Sequence, residues 1–234
     1  MYEGVHADPD GDSTVARLAM TASEYGYEGI VVRNHGDSPA SYDPGEIRDT
    51  YDIDVVTGVE IRAPDPSRAS GFLGGHRDQQ TIVAVHGGTP AINRFAVEQQ
   101  AVDVLAHPMV GDGDFNHVLA REAANNGVRV EVSLRRLLQT QGGPRVQALQ
   151  DLQKLTDLLT YYETPFVVSG DPTSHIQLRA PGELQSLGQL VGLTDEQIAD
   201  GLCEWSHLAS RNRQRHAPEF VQPGVWRDVD DSDE

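Results

Sequence analysis

The sequence predicts a single α/β domain, a TIM-like (β/α) barrel carrying additional C-terminal helices. Three observations predict it. Seven short apolar runs alternate with helical patterns. Most of the runs are continuously apolar, as parallel strands covered on both faces are. Each run also ends on a polar, chemically capable residue: His6, Asn34-His35, Glu60, His86, His107-Pro108, Glu131 and Ser169-Gly170-Asp171. In a β/α barrel such C-terminal strand ends converge on one mouth, so function is sought there.

The predicted strands cover residues 2–6, 29–35, 54–63, 81–88, 102–107, 129–134 and 165–171. Between them, 14–25 reads as a helix with Val15, Leu18, Ala19 and Ala22 on one stripe. A short helix is predicted over 93–100. Another over 115–126 stops at Gly127, a C-cap. The longest helix covers 143–163, with Val146, Leu149, Leu152, Leu155, Leu158 and Leu159 at core-packing spacing. Two more helices follow. In 181–191, Pro181 suits N1 and Glu183 the first turn. In 194–211, Thr194 and Gln197 form a capping box. Seven strands leave room for an irregular eighth, and a doubly wound open sheet is the alternative. No linker interrupts the pattern, so 1–225 is read as one barrel domain. Residues 226–234, ending Asp230-Asp231-Ser232-Asp233-Glu234, are read as a disordered acidic tail.

A chain of 234 residues can enclose one large core. Its charge is the outlier: 36 acidic residues against 18 basic ones, a net charge of −18. Lys154 is the only lysine; every other basic residue is arginine. This is the composition of a protein adapted to high salt, where carboxylates hold water and screening suppresses their repulsion. It excludes nonspecific nucleic-acid binding through a broad basic face, but not a local arginine patch. Cys203 is alone, so no internal disulfide is expected. Met1-Tyr2-Glu3-Gly4 lacks the basic start of a secretion signal, and no apolar run approaches a membrane span. A cytoplasmic, soluble protein is predicted.

Imidazoles and carboxylates at strand ends are what a metal-assisted hydrolase uses. Gly58-Val59-Glu60, Ala106-His107-Pro108 and Val130-Glu131-Val132 resemble the motifs of the PHP family of barrel phosphoesterases. The departures are as informative. The family's H-x-H is here His6-Ala7-Asp8, and its D-H is Asn34-His35. Its S-D-x-H is stretched to Ser169-Gly170-Asp171-Pro172-Thr173-Ser174-His175. Asn34 brings no charge to a cation. The reading is a PHP-like barrel that has lost its metal centre. No metal, other cofactor or catalytic residue is expected in the chain. His6, Asp8, Asn34, His35, Glu60, His86, His107, Glu131 and Asp171 remain as a vestigial polar cluster. For each histidine singly, a satisfied structural role is the simpler reading.

A closer resemblance covers almost the whole chain. It rests on Gly29-Ile30-Val31-Val32-Arg33-Asn34-His35, Val56-Thr57-Gly58-Val59-Glu60-Ile61 and Val85-His86-Gly87-Gly88 with Asn93-Arg94-Phe95-Ala96 behind it. It continues in Val102-Asp103-Val104-Leu105-Ala106-His107-Pro108, Gly142-Gly143-Pro144-Arg145-Val146-Gln147-Ala148-Leu149 and Leu178-Arg179-Ala180-Pro181-Gly182-Glu183-Leu184. In this order they resemble the archaeal ribonuclease P protein component 3 family, counterpart of the eukaryotic 30-kDa ribonuclease P subunit. The resemblance implies a subunit of the ribonucleoprotein endonuclease that cuts 5′ leaders from precursor tRNA. In that family the RNA carries the chemistry with divalent metal. The protein binds and stabilises that RNA, paired with component 2 and beside other protein subunits. A PHP-type metal-dependent phosphoesterase is the enzyme alternative, and a protein–protein adaptor a third class.

With lysine nearly gone, arginine must hold the phosphates. Arg94, Arg135, Arg136 and Arg179 follow strand ends and are the rim candidates. Arg33 is counted with them as an RNA-binding candidate; it lies among apolar residues, so it either reaches the mouth or pairs internally with a carboxylate such as Glu60. Arg211, Arg213, Arg215 and His216 form the densest basic run, which also suits a helix C-terminus.

The charge makes a direct prediction. Self-repulsion opposes folding at low ionic strength, so the melting temperature should climb as KCl rises from dilute to molar. A flat or falling melting curve across that range would remove the salt-adaptation argument.

Overall fold

The fold is described from a computed structural model, covering residues 1–216, 220–222 and 225–226. Seven parallel strands stand in sequence order: β1 (Tyr2–Val5), β2 (Gly29–Val32), β3 (Asp54–Ile61), β4 (Ile82–His86), β5 (Val104–Ala106), β6 (Arg129–Ser133) and β7 (Phe166–Ser169). Each pairs only with its sequence neighbours, as successive β/α units of one hand require. This is the barrel order, and the open doubly wound alternative is discarded.

Helices fill every crossover. α1 (Val15–Glu24) buries Val15, Leu18, Ala19 and Ala22, the predicted stripe. α4 (Pro90–Glu98) starts three residues before its predicted start because Thr89 caps it, accepting from the Ile92 N–H. α5 (His117–Asn126) ends at Gly127 in the left-handed region, φ 67°. α7 (Gly142–Tyr161) buries Ala148, Leu152, Leu155 and Leu159. Val146 stays exposed, because the first two turns stand clear of the barrel. α8 (Pro181–Gly188) begins as expected, with the Glu183 carboxylate accepting from the Ala180 N–H.

Three helices escaped the sequence reading. α2 (Pro44–Tyr51) and α3 (Pro66–His76) both open on Asp-Pro, where Asp43 and Asp65 accept from first-turn N–H groups. Asp at N-cap followed by Pro at N1 was the available signal. It was masked because α2 buries only Ile47 and α3 contains Gly71, Gly74 and Gly75. The third is the short α6 (Arg135–Gln139).

The predicted irregular eighth strand does not form among the described residues, and no backbone ladder joins β7 to β1. α9 (Asp195–His216) takes that place instead, packing on both edge strands. Its capping box is reciprocal: Gln197 N–H donates to Thr194 Oγ1, and Thr194 N–H to Gln197 Oε1. Gly201 permits the approach, since a Cβ there would lie 2.6 Å from Val168 Cγ2. One turn on, Trp205 is fully buried and donates Nε1–H to the Val168 carbonyl at 3.0 Å. Trp205, Leu208 and Ala209 fill the lower barrel with Val31, Val56, Ile82, Ala84, Val104 and Val167.

α9 then crosses beneath the N-terminal strand ends. Asn212 donates to the Thr81 carbonyl and to Asp103, Arg211 to Asp103, and Arg213 to Asp54 with both terminal nitrogens. The basic run 211–215 is therefore at the pole opposite the mouth, with Arg211 and Arg213 spent on ion pairs. Beyond α9, β8 (Phe220–Gln222) and β9 (Val225–Trp226) form an antiparallel ribbon that the sequence reading did not anticipate. The proposed tail at 226–234 falls outside the described residues except for Trp226. Among those residues, no helix is long and apolar enough to cross a membrane.

Because α9 stands where a strand would close the barrel, Trp205→Ala should cost about 3–5 kcal/mol of unfolding free energy. The exposed Val146→Ala should change it by less than about 0.5 kcal/mol. Denaturant unfolding in molar KCl distinguishes the two, and equal effects would show that α9 does not hold the barrel shut.

Candidate functional site at the barrel mouth

Strand alternation sends every second side chain into the barrel. On β2 this carries Val31 and then Arg33 inward, and along β7 Val167, Ser169 and Asp171. Arg33 thus lies at the barrel centre with no solvent exposure. Its guanidinium meets three equally buried carboxylates: Glu60 at 2.9 Å, Glu131 at 2.5 Å and Asp171 at 2.9 Å. Its other side stacks 5.5 Å from the Trp205 ring centroid. Gly4 leaves the room, since a Cβ there would stand 2.9 Å from Arg33 Nε.

Above this cluster four imidazoles run in a row, His6, His35, His86 and His107, with successive ring centroids 5.1, 5.4 and 4.7 Å apart. His6 Nε2 faces Glu60 at 3.5 Å and Asp171 at 3.4 Å, and its Nδ1 meets Asp10 at 2.7 Å. Asp10 also accepts from the His35 backbone N–H at 3.0 Å and faces His35 Nδ1 at 2.8 Å. His86 Nδ1 lies 2.5 Å from Glu60 Oε1. His107 Nε2 is 3.6 Å from Glu60 and 3.5 Å from Asp171. His107 and Asp171 both hold left-handed backbone, φ 52° and 50°, conformations usually disfavoured outside glycine.

These contacts set the protonation states. Burial alone would raise Glu60, but Arg33 and His107 hold it well below the usual carboxylate range. Asp171 is likewise lowered against its burial, chiefly by Arg33. Glu131 is pushed up to about 7 because burial and its two acidic neighbours outweigh Arg33. His6 resists its own desolvation and sits well above its ordinary value, held by Asp10, Asp171 and Glu60. His35 is raised by Glu60 and Asp10 against burial. His107 is lowered, mainly by desolvation. The mouth is thus largely neutralised from within.

The structure gathers His6, His35, Glu60, His86, His107, Glu131 and Asp171, all named from their strand-end positions. Asp8 does not join them; it is exposed. Asn34 is buried but acts as a bracket, with Oδ1 accepting from Ala7 N–H and Nδ2 donating to the Ala7 and Ser38 carbonyls. Asp10 was missed, because it lies on a loop four residues past His6 rather than on a strand end. Glu3 was missed because it lies near the start of β1, away from the C-terminal strand ends.

Among the arginines, Arg33 is corrected: it cannot reach a surface ligand and serves as the internal counter-ion. Arg135 sits at the mouth, 3.7 Å from Asp171 and 3.5 Å from Thr173 Oγ1. Arg136 pairs with Asp151 at 3.1 Å. Arg179 donates to the Ile176 and Leu178 carbonyls in the loop beyond β7. A Gln139–Gln177 hydrogen bond ties that loop to α6. Arg94 is exposed on α4 and pairs with Glu98.

The PHP-type metal set is not rebuilt here. Asp8 faces solvent, Asn34 is spent on backbone, and Arg33 occupies Glu131 and Asp171. Smaller groups still converge in a way that sequence spacing concealed: His6, Asp10 and His35, and His35, Glu60 and His86.

Glu3 marks the seam between β1 and β7. Its buried carboxylate accepts from Ser169 Oγ at 2.5 Å and from Gly170 N–H at 3.1 Å. Burial pushes it up to about 7, opposed by those bonds and by Arg33. A carboxyl raised on folding contributes stability below its unfolded value that is lost as pH rises through the folded one. Wild type should therefore lose stability relative to Glu3→Gln between about pH 4.5 and 7.5, by at most about 3 kcal/mol. Parallel stability profiles for the two chains over that range would contradict this.

The comparisons with known proteins fit this architecture. Residues 2–217 match the family described as RNase P subunit p30. Ribonuclease P protein component 3 of Haloarcula marismortui is 54% identical over 234 residues, covering 100% of this chain and 99% of the relative. That of Methanosarcina mazei is 34% identical over 222 residues, covering 94% and 92%. Among solved structures, a chain of archaeal ribonuclease P, determined by cryo-EM with mature tRNA, superposes with a TM-score of 0.83 at 22% identity, covering 100% of both chains. The zinc-, histidinol- and phosphate-bound histidinol phosphate phosphatase of Lactococcus lactis shares the fold at a TM-score of 0.52 and 13% identity, covering 81% and 92%. Relatives from halophiles, Haloarcula marismortui among them, agree with the salt adaptation read from the composition. By its sequence, matched over residues 2–217, the chain belongs to the ribonuclease P subunit p30 family.

Proposed function

We propose that this chain works in ribonuclease P as a non-catalytic subunit that binds and stabilises the enzyme's RNA, while that RNA carries the chemistry. The observation that supports this most is the barrel centre. Arg33 holds Glu131, Asp171 and one oxygen of Glu60, so most of the carboxylate charge at the mouth is spent on an internal cation. The match over residues 2–217 places the whole barrel within one family of ribonuclease P proteins. On this reading its partners are the ribonuclease P RNA, protein component 2 and the other protein subunits, with precursor tRNA as substrate of the assembly. Divalent metal for cleavage belongs to the RNA.

The RNA contact is assigned to Arg135, Arg136, Arg179 and Arg94. The first three lie on α6 and the loop beyond β7, beside the mouth, and keep part of their guanidinium faces to solvent. A planar guanidinium grips phosphate with two parallel bonds, which lets a few arginines serve on an acidic protein. Arg135, Arg136 and Arg94 already face carboxylates, which RNA phosphates would displace.

Replacing these four arginines jointly by alanine should leave the fold intact and weaken association with ribonuclease P RNA. Each lost phosphate contact should reduce the slope of log affinity against log salt by roughly 0.7–0.9. The check is RNA binding across a KCl series, alongside reconstituted precursor-tRNA cleavage with and without the chain. A folded quadruple variant that binds and supports cleavage like wild type throughout would show that the RNA lies elsewhere.

A further inference from the structure

We propose that His35 Nε2, Glu60 Oε1 and His86 Nδ1 form a binding site for one divalent cation of the zinc type at the barrel mouth. The three groups come from the ends of adjacent strands β2, β3 and β4, so a rigid scaffold presents them. His35 Nε2 lies 3.4 Å from His86 Nδ1 and 3.5 Å from Glu60 Oε1. A tetrahedral zinc with ligand bonds of about 2.0–2.1 Å requires ligand–ligand edges of about 3.3 Å. Two edges are therefore already in place. The third, His86 Nδ1 to Glu60 Oε1 at 2.5 Å, is a hydrogen bond that must lengthen. His86 can provide that movement, because its side chain is the most exposed of the three, at 27%. The same exposure leaves the fourth position open to water.

The surrounding contacts aim these atoms. Asp10 receives His35 Nδ1–H at 2.8 Å and is itself fixed by the His35 backbone N–H. That bond assigns the tautomer that turns the Nε2 lone pair toward Glu60 and His86. Glu60 Oε2 is held by Arg33 at 2.9 Å, which leaves Oε1 to face the imidazoles. The neighbouring group His6, Asp10 and His35 then serves as outer support, because Asp10 is an acceptor between two Nδ1 atoms at 2.7 and 2.8 Å. Glu131 and Asp171 are bound by Arg33, so the arrangement has room for one ion. Two imidazoles and one carboxylate favour zinc, cobalt or nickel over magnesium or calcium. The ion would tie three strand ends together and add its binding energy to the stability of the fold.

The test uses the metal-stripped full chain in molar KCl, titrated with Co²⁺ as absorption probe and then with Zn²⁺ as competitor. The expected result is one Co²⁺ per chain with the intense visible bands of four-coordinate cobalt, lost on adding one equivalent of Zn²⁺. His86→Ala should weaken binding at least 100-fold. Asp10→Asn, which keeps the side-chain size, should weaken it 10–100-fold. His207→Ala, on the exposed face of α9, should bind as wild type. Absence of a saturable cobalt signal in the wild-type chain would overturn the proposal. So would wild-type affinity in both folded variants, His86→Ala and Asp10→Asn.

Discussion

One guanidinium at the barrel axis organises this molecule. Without Arg33, three carboxylates buried within a few ångströms of each other would repel and would have no water to hydrate them. With it, β2 is bonded across the barrel to β3, β6 and the end of β7, so distant strands share one electrostatic centre. Trp205 then closes the cluster from below, and α9 is drawn into the gap between β7 and β1. Closure of the barrel and neutralisation of its mouth are thus one structural solution. A buried ion cluster is not itself a source of great stability, but removing one partner from it is costly.

The histidinol phosphate phosphatase and other solved barrels share this fold at low identity. Their likeness is one of architecture, and architecture does not carry function. Here a covalently attached arginine supplies positive charge at the barrel centre, and the histidines face the mouth above it. Arginine elsewhere does comparable internal work. Arg77 and Arg211 converge on Asp103, Arg129 meets Glu204, and Arg213 meets Asp54. In a chain with 36 acidic residues, several of its few cations are spent on holding the fold together.

Much of this was legible in the sequence, for physical reasons. Parallel strands covered on both faces must be apolar throughout, so the seven runs announced themselves, and their polar last residues named most of the mouth. Arg33 was readable as an internal partner of Glu60, though not of Glu131 and Asp171, because those contacts cross the barrel. Asp10 was hidden on a turn-rich acidic loop, Asp8-Pro9-Asp10-Gly11-Asp12, where the more regular spacing favoured Asp8. The missing eighth strand was hidden too: the helix that replaces it has an ordinary amphipathic pattern, and its seat on β7 shows only in the contacts of Gly201 and Trp205 with Val168. The densest basic run was legible as a helix C-terminus, and it does end α9, but its place at the pole opposite the mouth follows only from the topology.

Arg33 is the counter-ion of the barrel centre. The measurement that tests this role is denaturant unfolding, in molar KCl, of Arg33→Met beside a chain that also carries Glu60→Gln, Glu131→Gln and Asp171→Asn. Arg33→Met alone leaves buried carboxylates uncompensated and should lose about 3–5 kcal/mol. The fourfold neutral chain removes that imbalance and should recover most of the loss, a strong non-additive coupling. An Arg33→Met chain as stable as wild type, or a fourfold chain no more stable than Arg33→Met, would contradict that role.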